Sequence, residues 1–139
     1  ADEIAGRHVI VFDDMVRTGS TIAECCRVLK EYGARSAVFA VTHFYASQEV
    51  KENLNTGFID QIVTTNTLPA ILNRDMQGRL RKKLLVLKIA KWLVNFLSER
   101  FPGSDIPTYA PPYSIDVSTK NPLWARNSVS AIKGEMVPL

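Results

Sequence analysis

The sequence predicts an α/β domain of three layers, a mainly parallel sheet with helices on both faces, and three observations carry that reading. Short apolar runs of strand type recur at Val9–Phe12, Ala37–Thr42 and Ile59–Thr64. A segment of helical periodicity separates each run from the next, the alternation that builds a parallel sheet with helical crossovers. Finally, all three runs end in polar residues: Asp13-Asp14, Thr42-His43 and Thr64 to Thr67. In a parallel sheet those ends share one edge, outside which ligands bind, so the polar residues are expected to converge on one cleft.

The first run leads into the most informative stretch of the chain. Val9-Ile10-Val11-Phe12 is followed by the acids, then by Met15-Val16-Arg17-Thr18-Gly19-Ser20-Thr21-Ile22. This reads as strand, polar loop and helix. Amides at the turn, the positive end of the helix and the hydroxyls of Thr18, Ser20 and Thr21 suit a phosphate. Asp13 and Asp14 suit the vicinal hydroxyls of a sugar, and carboxylates also suit the magnesium that accompanies a diphosphate. The plainer alternative is a turn followed by a Ser20 or Thr21 helix cap. No Gly-Lys-Ser/Thr follows, which excludes the ATP-binding P-loop, and Gly19 alone is no dinucleotide fingerprint.

The first helix is expected from about Ser20 to Tyr32, with Ile22, Cys25, Cys26 and Leu29 toward the sheet and Gly33 as its stop. Ala37–Thr42 then suits a strand buried on both faces, and His43 follows it as either a structural or an active-site histidine. Ser47 is placed to cap a helix through Leu54, and Gly57 ends that excursion. Ile59–Thr64 makes the third strand. Thr65, Asn66 and Thr67 after it either contact the ligand or shape the loop by internal hydrogen bonds. Arg74, Arg79, Arg81, Lys82 and Lys83 form a charge run whose ordinary reading is a solvated face.

Bulk properties set bounds. The 139 residues are 46% hydrophobic with a net charge of +3, enough apolar material for one core and too little basic clustering to argue for nucleic acid. No apolar stretch is long enough to span a membrane. Cys25 and Cys26 are neighbours on a helix, point in different directions, and read as reduced thiols of a cytoplasmic protein.

At Asp13–Thr21 the sequence resembles the type I phosphoribosyltransferase superfamily, whose phosphoribosyl diphosphate (PRPP) loop is an apolar strand, paired acids and a Thr-Gly-Ser-Thr turn. Gly6-Arg7, Ala40-Val41-Thr42-His43 and Val63-Thr64-Thr65-Asn66-Thr67-Leu68-Pro69 extend the likeness, over about residues 5–100, to the C-terminal half of the ribose-phosphate pyrophosphokinases, the PRPP synthetases. The resemblance implies a strand at Leu84–Lys88 and a helix at Ile89–Arg100 with Trp92, Leu93, Phe96 and Leu97 on its buried side. It also implies ribose held by Asp13 and Asp14, phosphate held by Arg17, Thr18, Gly19, Ser20 and Thr21, and His43, Thr65, Asn66 and Thr67 as active-site neighbours. Mg2+, with Asp13 and Asp14 as its protein ligands, ribose 5-phosphate or PRPP, and ATP follow from the same likeness, as does a homo-oligomer.

Two departures stand out. Arg17 occupies a position where the family commonly has an acid, and the family's N-terminal half, with much of the ATP site, is missing; the start at Ala1 without a methionine is expected of a processed, cut or engineered chain. The implied reading is thus the sugar-phosphate part of a ribose-phosphate diphosphokinase, inactive by itself. A salvage phosphoribosyltransferase or a non-catalytic PRPP-sensing regulator would use the same loop. The expected division is a domain over 1–100 and an extended, irregular tail over 101–139. Six of the seven prolines lie between Pro102 and Pro138, and Tyr109, Tyr113, Leu123 and Trp124 are the groups expected to cover apolar surface.

Overall fold

The computed structural model describes residues 3–103 and 105–115. Five strands form one sheet in the order β1-β2-β3-β4-β5, where β1 is His8–Val16, β2 Ser36–Phe44, β3 Gln61–Thr65, β4 Leu84–Lys88 and β5 Ser114–Ile115. The first four are mutually parallel, and β5 runs antiparallel to β4. The expected α/β class with a mainly parallel sheet is what the chain adopts.

Between the strands lie α1 (Ser20–Glu31), α2 (Gln48–Leu54), two 3-10 turns (Pro69–Leu72 and Gly78–Lys82) flanking the short α3 (Arg74–Gln77), and finally α4 (Ala90–Arg100). The charge run lies on a set of short helical turns, with Arg74, Arg79 and Lys82 exposed and Leu80 buried inside it. Ser47 caps α2 as expected, its hydroxyl accepting from the Val50 amide at 3.2 Å.

Alternate positions of the strands, including Ala37, Phe39, Val41, Ile62, Leu84 and Val86, are buried against Ile22 and Cys26 of α1, Val50 and Leu54 of α2, Ile71 and Leu80. Contacts of α1 with α2, and of α2 with the Gly78–Lys82 turn, complete this layer. At β1 the other set of positions is open: Ile10 is 53% and Phe12 77% exposed.

Three expectations need correction. The acids Asp13 and Asp14 lie within β1, not in the loop after it, because β1 continues to Val16 in register with β2, where Met15 pairs with His43. His43 is likewise inside β2, and Thr65 inside β3. The face of α4 assigned to the core is exposed: Trp92, Leu93, Phe96 and Leu97 all face solvent, with Trp92 and Phe96 stacked at 5.8 Å between ring centroids. Periodicity marks an apolar face but not whether anything covers it.

The segment after Phe101 starts as an ordered strap and includes a strand where irregular chain was expected. Asn95 on α4 donates through Nδ2 to the Tyr109 carbonyl at 2.8 Å and accepts the Tyr109 amide at 2.7 Å. Ser98 donates to the Ile106 carbonyl, the Lys91 ammonium sits over the Tyr109 ring, and β5 then joins β4. The expected contributions of Leu123 and Trp124 lie outside the described residues.

Candidate functional site

The candidate residues lie at the carboxyl ends of β1, β2 and β3, but those of β2 and β3 do not line the cleft found at β1. At β1 a cleft of about 330 Å3 is lined by Asp13, Met15, Val16, Arg17, Thr18, Gly19, Thr21 and Ile22. Its floor is built by Gly19, which has φ +80° and serves as the N-cap of α1. That left-handed turn is open to glycine at no steric cost. Any other side chain would also crowd Leu54, since a Cβ at Gly19 would stand 3.0 Å from its Cγ and Cδ2, and Leu54 would have to give by a few tenths of an ångström.

Because the cap residue is a glycine, no side chain caps α1. Neither Ser20 nor Thr21 is the cap, so the plainer reading of these hydroxyls fails. The first-turn amides and the helix dipole are left for an anion. The hydroxyls of Thr18 and Ser20 lie 3.1 Å apart at the same turn. Arg17 is exposed on the cleft wall and, among the described residues, makes no ion pair, so its guanidinium is available to an incoming anion.

The two acids do not share one direction. Successive strand residues point to opposite faces, and only Asp13 lines the cleft. Each carboxylate accepts the next residue's amide: Asp13 from Asp14 at 2.8 Å, Asp14 from Met15 at 2.7 Å. Both side chains are exposed, with acceptor capacity left for hydroxyls or a hard cation. Among the described residues no group of three or more His, Cys, Asp or Glu converges as an all-protein metal site.

The second group is a hydroxyl network. Thr65 and Thr67 both direct their hydroxyls at the Thr42 carbonyl, at 2.8 and 2.9 Å, and lie 3.1 Å from each other. His43 Nδ1 is 2.9 Å from the Thr67 hydroxyl. With its proton directed at Thr42, Thr67 accepts from Nδ1–H, which makes Nε2 of a neutral ring the acceptor. Asn66 accepts the Ile89 amide at 3.0 Å and fixes the entry to α4. Thr65, Asn66 and Thr67 are thus spent largely on shaping the edge, while His43 keeps one ring nitrogen.

One residue beside the loop escaped sequence reasoning. Asn53, on α2, donates through Nδ2 to the Thr18 carbonyl at 2.8 Å, and its neighbour Leu54 packs beneath Gly19. Only the fold brings α2 to this turn, and nothing in the motif signals it.

A family model for the phosphoribosyl synthetase-associated domain matches residues 1–97. The chain belongs to the PRPP synthetase family. It is similar to the ribose-phosphate pyrophosphokinase of Corynebacterium efficiens, 39% identical over 106 residues that make up 76% of this chain and 31% of that protein. Ribose-phosphate pyrophosphokinase 2 of Saccharomyces cerevisiae is 34% identical over 74 residues, 53% of this chain and 23% of that one. The crystal structure of phosphoribosylpyrophosphate synthetase from Mycobacterium smegmatis superposes with a TM-score of 0.60 at 33% identity, covering 73% of this chain and 32% of that one. This PRPP synthetase family member therefore spans about a third of the length of such relatives. Among the described residues no helix is long and apolar enough to cross a membrane.

Proposed function

We propose that these residues form the sugar-phosphate site of a ribose-phosphate diphosphokinase, binding ribose 5-phosphate or the PRPP made from it. The observation that carries the reading is the Asp13–Thr21 cleft, where an uncapped helix start, two hydroxyls and Arg17 meet a carboxylate at the carboxyl edge of a parallel sheet. In the reaction its relatives are named for, the anomeric hydroxyl of ribose 5-phosphate attacks the β-phosphorus of ATP, pyrophosphate is transferred, and AMP leaves.

Each residue has a defined task in this reading. The amides of Ser20 and Thr21, the hydroxyls and Arg17 hold the 5-phosphate. Asp13 accepts hydrogen bonds from the ribose hydroxyls, and Asp14, on the other side of the strand, reaches the sugar or its cation from the rim. Both orient the nucleophile, and fixed orientation accounts for much of the rate gain available to such a site. Hard carboxylate oxygens at Asp13 and Asp14 fit Mg2+, which neutralises charge on the diphosphate when bound. His43, held through Nδ1, offers Nε2 as an acceptor at the neighbouring strand. The parent protein is cytoplasmic and acts as a homo-oligomer in this proposal, and the chain alone binds but catalyses little.

Titration of the chain, observed by amide NMR, tests it. Ribose 5-phosphate should shift Asp13–Thr21 saturably, and Asp13→Asn with Asp14→Asn should weaken that ligand while sparing inorganic phosphate. A charged hydrogen bond contributes about 1.5–3 kcal/mol, so the loss should be at least tenfold. Equal loss for both ligands removes the division of labour, and no shift in a folded sample removes the site. With the whole parent protein, release of AMP from ATP distinguishes this chemistry from base-dependent release of pyrophosphate and from a silent regulator.

A further inference from the structure

A second concentration of positive charge lies between α2 and the Gly78–Lys82 turn. Two adjoining clefts, of about 390 and 430 Å3, share Asn55 and Arg79 as lining residues. Gln48, Lys51, Glu52 and Asn55 supply one wall, spaced so that they share one face of α2. Lys82 and Lys83, just before β4, supply the other end. This places the groove toward the amino ends of β3 and β4, whereas the Asp13–Thr21 loop follows the carboxyl end of β1.

The balance of charge in the groove is uneven. Lys51, Arg79 and Lys82 make no ion pair among the described residues. Lys83 is half-buried, its ammonium donating to the carbonyls of Thr56 at 2.7 Å and Ile59 at 3.2 Å, with no carboxylate within ion-pair distance. Burial lowers its pKa, the mark of a cation lacking adequate compensation. The single lining acid, Glu52, accepts from the side-chain amide of Gln48 at 2.6 Å. Four cations against one already engaged carboxylate give a concave surface of positive potential, where a planar guanidinium and flexible ammonium groups match the oxygens of a phosphate.

We propose that this groove is a second anion site, taking a phosphate group, either free or carried by a nucleotide. It does not depend on the reading of the loop, because the two sites share no residue. The test is amide NMR of the 139-residue chain during titration with inorganic phosphate and with AMP, against sodium chloride at matched ionic strength. The expected result is saturable shifts at Asn55, Thr56, Gly78 and Arg79 with both phosphates, weakened at least tenfold in Arg79→Gln with Lys82→Gln. Lys51→Gln, a milder change on the opposite wall, should weaken the same shifts severalfold and covers the case in which the double variant folds poorly. Saturation by AMP at least tenfold below phosphate assigns a nucleotide, and equal concentrations assign phosphate alone. Shifts reproduced by chloride, linear without saturation, or unchanged in both variants overturn the site.

Discussion

Asn53 donates its side-chain amide to the carbonyl oxygen of Thr18 across 2.8 Å, joining the helix after β2 to the turn after β1. The bond holds a peptide whose orientation decides where the next amides point. Replacement by alanine should therefore cost binding as well as stability. A neutral hydrogen bond contributes about 0.5–1.5 kcal/mol, so Asn53→Ala should weaken inorganic phosphate at the loop about two- to tenfold. Asn53→Asp, which sets a carboxylate against a carbonyl, should do worse. Phosphate titration followed at Thr21 reads both, and unchanged affinity in both variants would show that the turn holds itself.

Gly19→Ala meets two obstacles, the positive φ and Leu54. A side chain in the left-handed region costs of order 1–3 kcal/mol where the surroundings enforce it. The tight contact with Leu54 adds to that, so a double-mutant cycle with Leu54→Ala should recover only the part due to contact. Urea unfolding of the four proteins gives the coupling; a Gly19→Ala chain as stable as the parent would show that the turn can relax.

Cys26 is fully buried, and burial pushes its thiol up from 9.0 to about 11. Since the folded pKa is raised, the folded chain retains a proton that the unfolded chain loses first. Stability is unaffected below pH 9 and falls as pH rises from about 9 to about 11. Cys26→Ala should remove this part of the alkaline loss, and Cys25 should be alkylated well before Cys26 in the native chain. Equal alkylation of both thiols in a folded sample would contradict the burial.

The exposed face of α4 bears on assembly. Trp92, Leu93, Phe96 and Leu97, with Phe101 beyond the helix, form an apolar stripe larger than scattered surface residues. The expected state is at least a dimer, in which Trp92→Ser with Phe96→Ser favours the monomer. Sedimentation of this variant, of the parent and of a chain ending at Arg100 separates the stripe from the segment after Phe101. A monomeric parent at high concentration would dismiss the assembly.

Much of this was open to sequence reading because it is written in local signals. The run into Gly19, the cap at Ser47 and the stop at Gly33 need only neighbouring residues, whereas β4 followed from the family resemblance, since periodicity alone does not separate it from α4. What local signals miss is what lies across space. The periodicity of α4 shows an apolar face, yet whether a partner covers Trp92 is a tertiary fact. The paired acids read as one functional unit, but β1 continues through them and the strand's alternation separates their directions. Asn53 gave no sign, since its role exists only once α2 rests on the Thr18 turn.

The strand order has a consequence for how the domain is made. His8 pairs with Ser36, Val38 with Gln61 and Ile62 with Leu84, so each strand meets the one before it after a short crossover, and no early strand waits for a late one. Loop closure between neighbours is entropically cheaper than closure across the whole chain. A ribosome delivering this chain from its amino end could thus extend the sheet one strand at a time, with the Thr18 turn formed between the first two strands before β4 is synthesised.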